Sequence, residues 1–244
     1  EAVLLAKGVG DGLGITYKAA AKVTSISTWF KGNTDITAFS EFINFSGISE
    51  LLQDAFLGCK SLTEITLPAG VTIIGQAAFN GCSLLARVLN LENTKVTRIR
   101  NGAFSGCSSL AEITLPAGVT IIGQYAFLSC KSLTRVLNLE NTQLTSISSE
   151  LFESCTSLTE IALPPGVTSI GSSAFKSCTS LTEITLPPGV TSIGNGAFDG
   201  CKLLARVVNL ENTKVTSISN GAFNGCTSLT EIALPDTLTS IGNY

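Results

Sequence analysis

The chain has 244 residues, of which 44% are hydrophobic and 14% are charged, and its formal net charge is −3. This composition excludes an intrinsically disordered chain, which combines few apolar residues with a high net charge. The 15 basic residues are outnumbered by 18 acidic ones, which argues against nucleic-acid binding, and no histidine is present to serve as a general base or metal ligand.

Residues 1–42 lack the sequence repeat that occupies the rest of the chain. They contain the alanine-rich stretch ITYKAAAKV and the single tryptophan, Trp29. Because the end coils of a repeat protein need a cover, we predict that this segment is an N-terminal cap made of a short helix and a loop.

No apolar run in the chain is long enough to cross a bilayer, so we expect no membrane span.

A repeat of 23 or 25 residues occupies residues 43–244, in about eight units of which the last is incomplete. In each unit a phenylalanine precedes a cysteine by three residues, and a strand-like run such as LTEITLP from Leu62 follows. In the 23-residue units Val-Thr-x-Ile-Gly then leads to the next phenylalanine. The spacings between successive phenylalanines are 23, 25, 23, 25, 23, 23 and 25 residues, for Phe56, Phe79, Phe104, Phe127, Phe152, Phe175, Phe198 and Phe223.

The strand-like run predicts which side chains form the core. Leu62, Ile65 and Leu67 should point inward, and Phe79 should stack on Phe104 of the next unit. A single unit cannot bury its two flat faces, so several stacked units become stable together. The 25-residue units, such as LARVLNLENTKVTRI from Leu85, add one residue in the strand and one in the following turn. An extra residue in a strand predicts a β-bulge.

The repeated phrase L-x-x-I-x-L-P…V-T-x-I-G-x-x-A-F-x-x-C-x-S-L resembles the leucine-rich repeat family, in its BspA-like (Treponema-type) subclass. The resemblance covers roughly residues 43–244. It implies a β-rich α/β repeat solenoid: a curved, right-handed superhelix with a parallel sheet of short strands on the concave face, and short helical turns and loops on the other side. It also implies a non-catalytic binding module from a surface protein of a bacterium, a phage or a protist.

All eight cysteines occupy the same position in their units: Cys59, Cys82, Cys107, Cys130, Cys155, Cys178, Cys201 and Cys226. Each interior cysteine would have two equivalent neighbours, so nothing selects disulfide pairs, although disulfides stay an alternative. We expect buried, reduced thiols that behave as small hydrophobic side chains. Without a CxxC motif or a histidine, zinc has no support, and we expect neither a metal nor a cofactor.

One charged position in each unit should point outward from the strand, just before the inward isoleucine or valine. We name these eight residues the charged row, and they are the candidate binding residues of the concave face: Glu64, Arg87, Glu112, Arg135, Glu160, Glu183, Arg206 and Glu231. Acid and base alternate along the row, except at Glu160 and Glu183. One interpretation is a ladder of ion pairs that sets the stacking order; the other is a polar face for a protein or glycan ligand, centred on the acidic pair.

A second outward position holds only short side chains: Thr66, Asn90, Thr114, Asn138, Ala162, Thr185, Asn209 and Ala233. Neither outward position carries an aromatic residue, and aromatic side chains are favoured in protein-binding hot spots. Threonine, asparagine, glutamate and arginine also suit a glycan. The identity of the ligand therefore stays open.

The predicted function is ligand recognition or adhesion at the bacterial cell surface or outside the cell. The alternative is a structural segment of a phage tail fibre or surface fibre, with a virion location, because the units are nearly identical. A carbohydrate-active enzyme that uses Glu160 and Glu183 is a remote third interpretation. That pair would lie on an open face, with no visible means of excluding water.

The last residues, LTSIGNY, stop where the repeat would continue with Ala-Phe. We therefore expect Leu229, Ile232, Leu234 and Ile241 to be partly uncovered beside an unpaired strand edge. Exposed edges of this kind recruit other chains. We expect that the natural chain continues, or that self-association or another subunit covers this end.

Overall fold

Short parallel strands stacked coil upon coil form the fold, as predicted for a repeat solenoid. A computed structural model describes residues 17–243. Within this range the α-helix α1 (Tyr17–Ala20) is the only one, and none is long and apolar enough to cross a membrane. Residues 1–16 of the predicted cap lie outside the described residues, and the boundary at residue 42 stays a prediction.

The run that contains the charged row forms a first row of strands. Its members are β1 (Ala38–Phe39), β3 (Glu64–Thr66), β5 (Arg87–Leu89), β7 (Glu112–Thr114), β9 (Arg135–Leu137), β12 (Glu183–Thr185) and β14 (Arg206–Val208). These strands pair in parallel as three separate sheets, β1-β3-β5, β7-β9 and β12-β14.

A second row of strands, which was not predicted, contains the Val-Thr-x-Ile phrase. Its members are β2 (Glu50–Leu51), β4 (Ile73–Ile74), β6 (Arg98–Ile99), β8 (Ile121–Ile122), β10 (Ser146–Ile147), β11 (Ser169–Ile170), β13 (Ser192–Ile193), β15 (Ser217–Ile218) and β16 (Ser240–Ile241). They form two parallel sheets, β2-β4-β6-β8 and β10-β11-β13-β15-β16. A glycine follows most of these strands because the coils approach closely there: a Cβ on Gly194 would lie 2.6 Å from the Ser172 nitrogen.

A stack of phenylalanine rings runs through the core. The rings are nearly parallel, with centroids 5.2–5.6 Å apart and interplanar angles of 2–18°. This confirms the predicted contact between Phe79 and Phe104. Phe30, from the predicted cap, begins the stack against Phe56, so the packing of the repeats extends into that segment. The predicted inward residues Leu62, Ile65 and Leu67 are fully buried.

The cysteines lie beside the phenylalanine stack and are buried, as predicted. Each thiol donates a hydrogen bond to the carbonyl of the phenylalanine one coil earlier, at 2.9–3.2 Å. Cys107, for example, donates to the Phe79 carbonyl. Cysteine is therefore used as a small side chain that still offers a donor to a backbone oxygen between coils.

The extra residue of the 25-residue units does not form a bulge, and that prediction is wrong. β5 pairs with β3 residue by residue, with Thr66 opposite Leu89. The added residue is Asn90, which takes the left-handed conformation at φ 66° and ψ 7° and leads into a 3₁₀ turn at Leu91–Asn93. Asparagine tolerates this conformation better than most residues. Asn138 and Asn209 repeat the arrangement before the 3₁₀ turns Leu139–Asn141 and Leu210–Asn212; the remaining 3₁₀ helix of the described chain is Ser40–Asn44.

The side chains predicted to be uncovered in the last coil are indeed exposed in part. Leu234 is 42% and Ile241 60% exposed, while Leu229 and Ile232 are half-buried. Among the described strands, β16 pairs only with β15.

Replacing Phe127 by alanine should destabilise the fold by about 3–5 kcal/mol, because a fully buried ring with a neighbour on each side is lost. Phe223→Ala is the matched control, since this half-buried ring has a single stacking partner. Urea unfolding followed by circular dichroism measures both losses. Equal losses for the two variants would contradict a stack that is held from both sides.

We expect the native protein to resist thiol reagents at pH 8 and to show all eight free thiols after unfolding. Burial raises the pKa of Cys130 and Cys201 to about 12 and that of Cys226 to about 11, so little reactive thiolate forms. Of these three, Cys226 should react first, at a rate that rises about tenfold per pH unit below its pKa.

The control for this assignment is Cys226→Ser, which should remove the first of these three thiols to react. Rapid labelling of most cysteines in the native protein would contradict their burial. An absence of free thiols after unfolding would show that they are oxidised.

Candidate functional site

Six residues of the charged row meet as three ion pairs. Strand pairing sets Arg87 beside Glu64 and Arg135 beside Glu112. Their guanidinium nitrogens lie 2.7 and 2.6 Å from the carboxylate oxygens. Arg206 lies 3.2 Å from Glu183 in the same way. These pairs are exposed, so each contributes at most about 1 kcal/mol to stability.

Glu160 and Glu231 have no ion-pair partner among residues 17–243. They occur in identical heptapeptides, LTEIALP, at 158–164 and 229–235. The charge of Glu160 acts on Arg135 of the preceding coil. The pKa of Arg135 is raised first by the hydrogen bond and the charge of Glu112, and further by the charge of Glu160. Since Arg135 is bonded to Glu112, the Glu160 carboxylate stays unpaired.

The first row of strands breaks after each 25-residue unit. No ladder joins β5 to β7, and no strand forms at 159–163 after β9 or at 230–234 after β14. The extra residue shifts the chain, so the following 23-residue coil cannot keep a residue-by-residue register with it. On its other side the 25-residue coil stays attached, because the Asn138 amide nitrogen donates to the Leu115 carbonyl of the preceding coil at 2.6 Å.

The coil at 159–163 forms no strand ladder with the coil on either side. The Thr159 N–H reaches the Thr134 carbonyl at 3.4 Å, and the Thr182 N–H reaches the Thr159 carbonyl at 3.3 Å. Beyond this point the backbone of 160–163 makes no hydrogen bond to any described residue. The cause is its position: a 25-residue unit precedes it, and the next coil, β12, pairs onward with β14.

A groove of about 890 Å³ lies over this unpaired coil. Its charged lining comprises Arg135, Glu140, Glu160 and Glu183, three carboxylates and one guanidinium. Its apolar lining comprises Val136, Leu137, Ile161, Ala162, Leu163, Pro165, Leu186, Pro187 and Pro188. The groove thus contains the acidic pair that interrupts the alternation of the charged row.

The second outward position differs from its prediction in the 25-residue units. Leu89, Leu137 and Val208 lie opposite Thr66, Thr114 and Thr185, so asparagine does not share their row. Leu89 and Leu137 are 38% and 36% exposed. The outward face is therefore more apolar than predicted, and Leu137 brings this character into the groove.

The prolines of the groove were not recognised as site residues, although a signal for them was present. The turn after the strand reads Pro-Ala-Gly at 68–70 and 116–118, but Pro-Pro-Gly at 164–166 and 187–189. The added prolines, Pro165 and Pro188, are exposed and line the groove. The two units that carry the acidic pair are also the two that carry these added prolines, which form a rigid rim of the groove.

Metal ligation has no basis in the described part of the chain. Within residues 17–243 no group of three or more cysteine, aspartate or glutamate side chains is arranged to hold a metal ion.

The groove over 159–163 suits binding, since it offers an unpaired carboxylate, backbone groups without hydrogen-bond partners and apolar surface together.

A family profile described as the BspA type leucine rich repeat region matches residues 24–144 and 145–244, with six copies. No curated protein matches the chain. Among solved structures, a leucine-rich repeat protein of Treponema pallidum is 34% identical with a TM-score of 0.52, and the match covers 76% of this chain and 73% of that one.

For two further solved proteins, the match covers a smaller share of the solved chain. A leucine-rich repeat protein of Bacteroides ovatus is 28% identical with a TM-score of 0.57, over 89% of this chain and 65% of that one. A leucine-rich repeat protein of Eubacterium ventriosum is 26% identical with a TM-score of 0.66, over 78% of this chain and 49% of that one. The chain thus spans about half the length of the latter protein.

Asn138→Ala should destabilise the protein by about 1–3 kcal/mol, because it removes the amide donor to Leu115 and places an alanine at φ 64°. Asn138→Gly loses the same donor without the backbone strain, so its cost should be lower by about 1 kcal/mol. Urea unfolding of both variants measures the difference. Equal costs would show that the left-handed conformation places no constraint on this turn.

Proposed function

Because the chain belongs to the BspA type leucine-rich repeat family, we propose that it is a ligand-binding module of a bacterial cell-surface or secreted protein. The solved relatives come from bacteria, which supports a bacterial source. The module recognises or adheres to its ligand without catalysing a reaction. Its ligand is a protein or a glycan that contacts the charged row.

The observation that carries this proposal is the groove over 159–163. A solenoid built only for stacking would keep its ion pairs and strand ladders regular along its length. Here one coil leaves Glu160 unpaired and its backbone open, at the same place where two exposed prolines replace alanine. Polar groups without protein partners, next to apolar surface in a concavity, are typical of ligand sites.

A structural segment of a phage or surface fibre is the second candidate. The continuous phenylalanine stack supports it, because such a stack makes a stiff rod. The groove favours binding over this alternative, since a spacer has no use for an unpaired carboxylate at one coil. In the fibre alternative, changes in the groove would leave every interaction of the protein intact.

The double variant Glu160→Gln with Glu183→Gln should abolish or strongly weaken binding to whichever ligand a screen of matrix proteins and glycans identifies. Both side chains are exposed, so the fold should keep its stability within about 1 kcal/mol. Glu231→Gln is the matched control, because Glu231 occupies the same heptapeptide but lies outside the groove. Biolayer interferometry measures the affinities.

Unchanged affinity of the double variant for every detected ligand would contradict a role of the groove. An equal loss in Glu231→Gln would indicate a general effect of charge on binding.

A further inference from the structure

We infer that the groove over 159–163 binds an extended peptide segment through a lysine or arginine side chain held between Glu160 and Glu183. This inference rests on the proposed function and names the ligand class of the same site. Three features of the groove carry it: its charge, its open backbone groups and its proline rim.

The charge of the groove calls for a cationic group. The hydrogen bond between Thr182 and Thr159 sets the residues just before the two acids side by side, so Glu160 and Glu183 project from neighbouring coils. Like charges on adjacent strands destabilise each other. Arg206 lies beside Glu183 but no base pairs with Glu160 in the described chain. An ammonium or guanidinium group placed between the carboxylates relieves this repulsion and gains charge-assisted hydrogen bonds.

The backbone of 160–163 calls for a ligand with both donors and acceptors. Its N–H and C=O groups have no partner among the described residues, whereas the neighbouring coils form ladders. An extended peptide that lies in the groove, which residues 160–163 line, carries main-chain donors and acceptors along its whole length. A neutral glycan could also donate to carbonyl oxygens, but it offers no cation for the carboxylate pair.

The rim of the groove suits the aliphatic stem of a basic side chain and its apolar neighbours. Pro165 and Pro188 present rigid apolar surface on successive coils, and Leu137 adds a partly exposed side chain. Lysine and arginine bury their methylene groups along such surface while their charged heads reach polar partners. The rim and the acidic pair therefore fit two parts of one side chain.

The inference is tested by selecting a displayed library of random octapeptides on the immobilised full chain. We expect the selected peptides to share a lysine or arginine at one position. A selected peptide synthesised with that residue should bind about tenfold more tightly than its glutamine analogue, because its charged group forms hydrogen bonds with the carboxylates. Its binding should weaken with increasing salt, because the contact is electrostatic.

Three variants locate the contact. Glu160→Gln with Glu183→Gln should weaken binding of the basic peptide about tenfold and leave binding of the glutamine analogue unchanged. Glu231→Gln should bind like the parent chain. Pro165→Ala with Pro188→Ala recreates the Pro-Ala-Gly turn of residues 68–70, so this variant should fold normally. It should nevertheless bind the basic peptide more weakly than the parent chain does.

Selected peptides without a common basic residue, failure to select any peptide, or equal affinity for the double glutamine variant would each overturn the inference. A glycan that depends on Glu160 and Glu183 would overturn it as well, but would leave the proposed function standing. If no ligand of any class depends on the groove, the proposed function fails together with the inference.

Discussion

Contact between successive coils is the interaction on which the whole structure depends. A single coil is too small to enclose a hydrophobic core by itself. It therefore buries its phenylalanine ring, its cysteine and its inward aliphatic side chains against the coils before and after it. The thiol hydrogen bond to the phenylalanine carbonyl of the preceding coil joins the same two elements. This dependence makes every coil sensitive to the exact length of its neighbours.

Coil length then decides where the strand ladders continue. A 23-residue coil followed by a 25-residue coil pairs through its first-row strand, as β3 does with β5. The step out of a 25-residue coil breaks the first row, because Asn90 and its equivalents turn the chain away. In the second row, β6 pairs with both neighbours. Among the described strands that row breaks once, between β8 and β10, whereas the first row divides into three short sheets.

The candidate site follows from one irregularity in this alternation. Two 23-residue spacings occur in succession, and 159–163 belongs to the first of these coils. No 25-residue coil follows it to pair with its strand or its glutamate. The same irregularity leaves a carboxylate without a base and a backbone segment without a ladder. Pro165 and Pro188 occur at this place, so the sequence differs where the packing differs.

The sequence by itself determined the repeat, the family, the inward phenylalanines and cysteines, and the position of the acidic pair, because these depend on residue type and on spacing along the chain. Only the tertiary structure decided that Leu89 lies opposite Thr66, that a second row of strands exists, and that a groove opens over 159–163. The reason is that these features depend on the register between residues one coil apart. That register is set by packing and by the left-handed turn at each added asparagine, and local sequence preferences do not encode it.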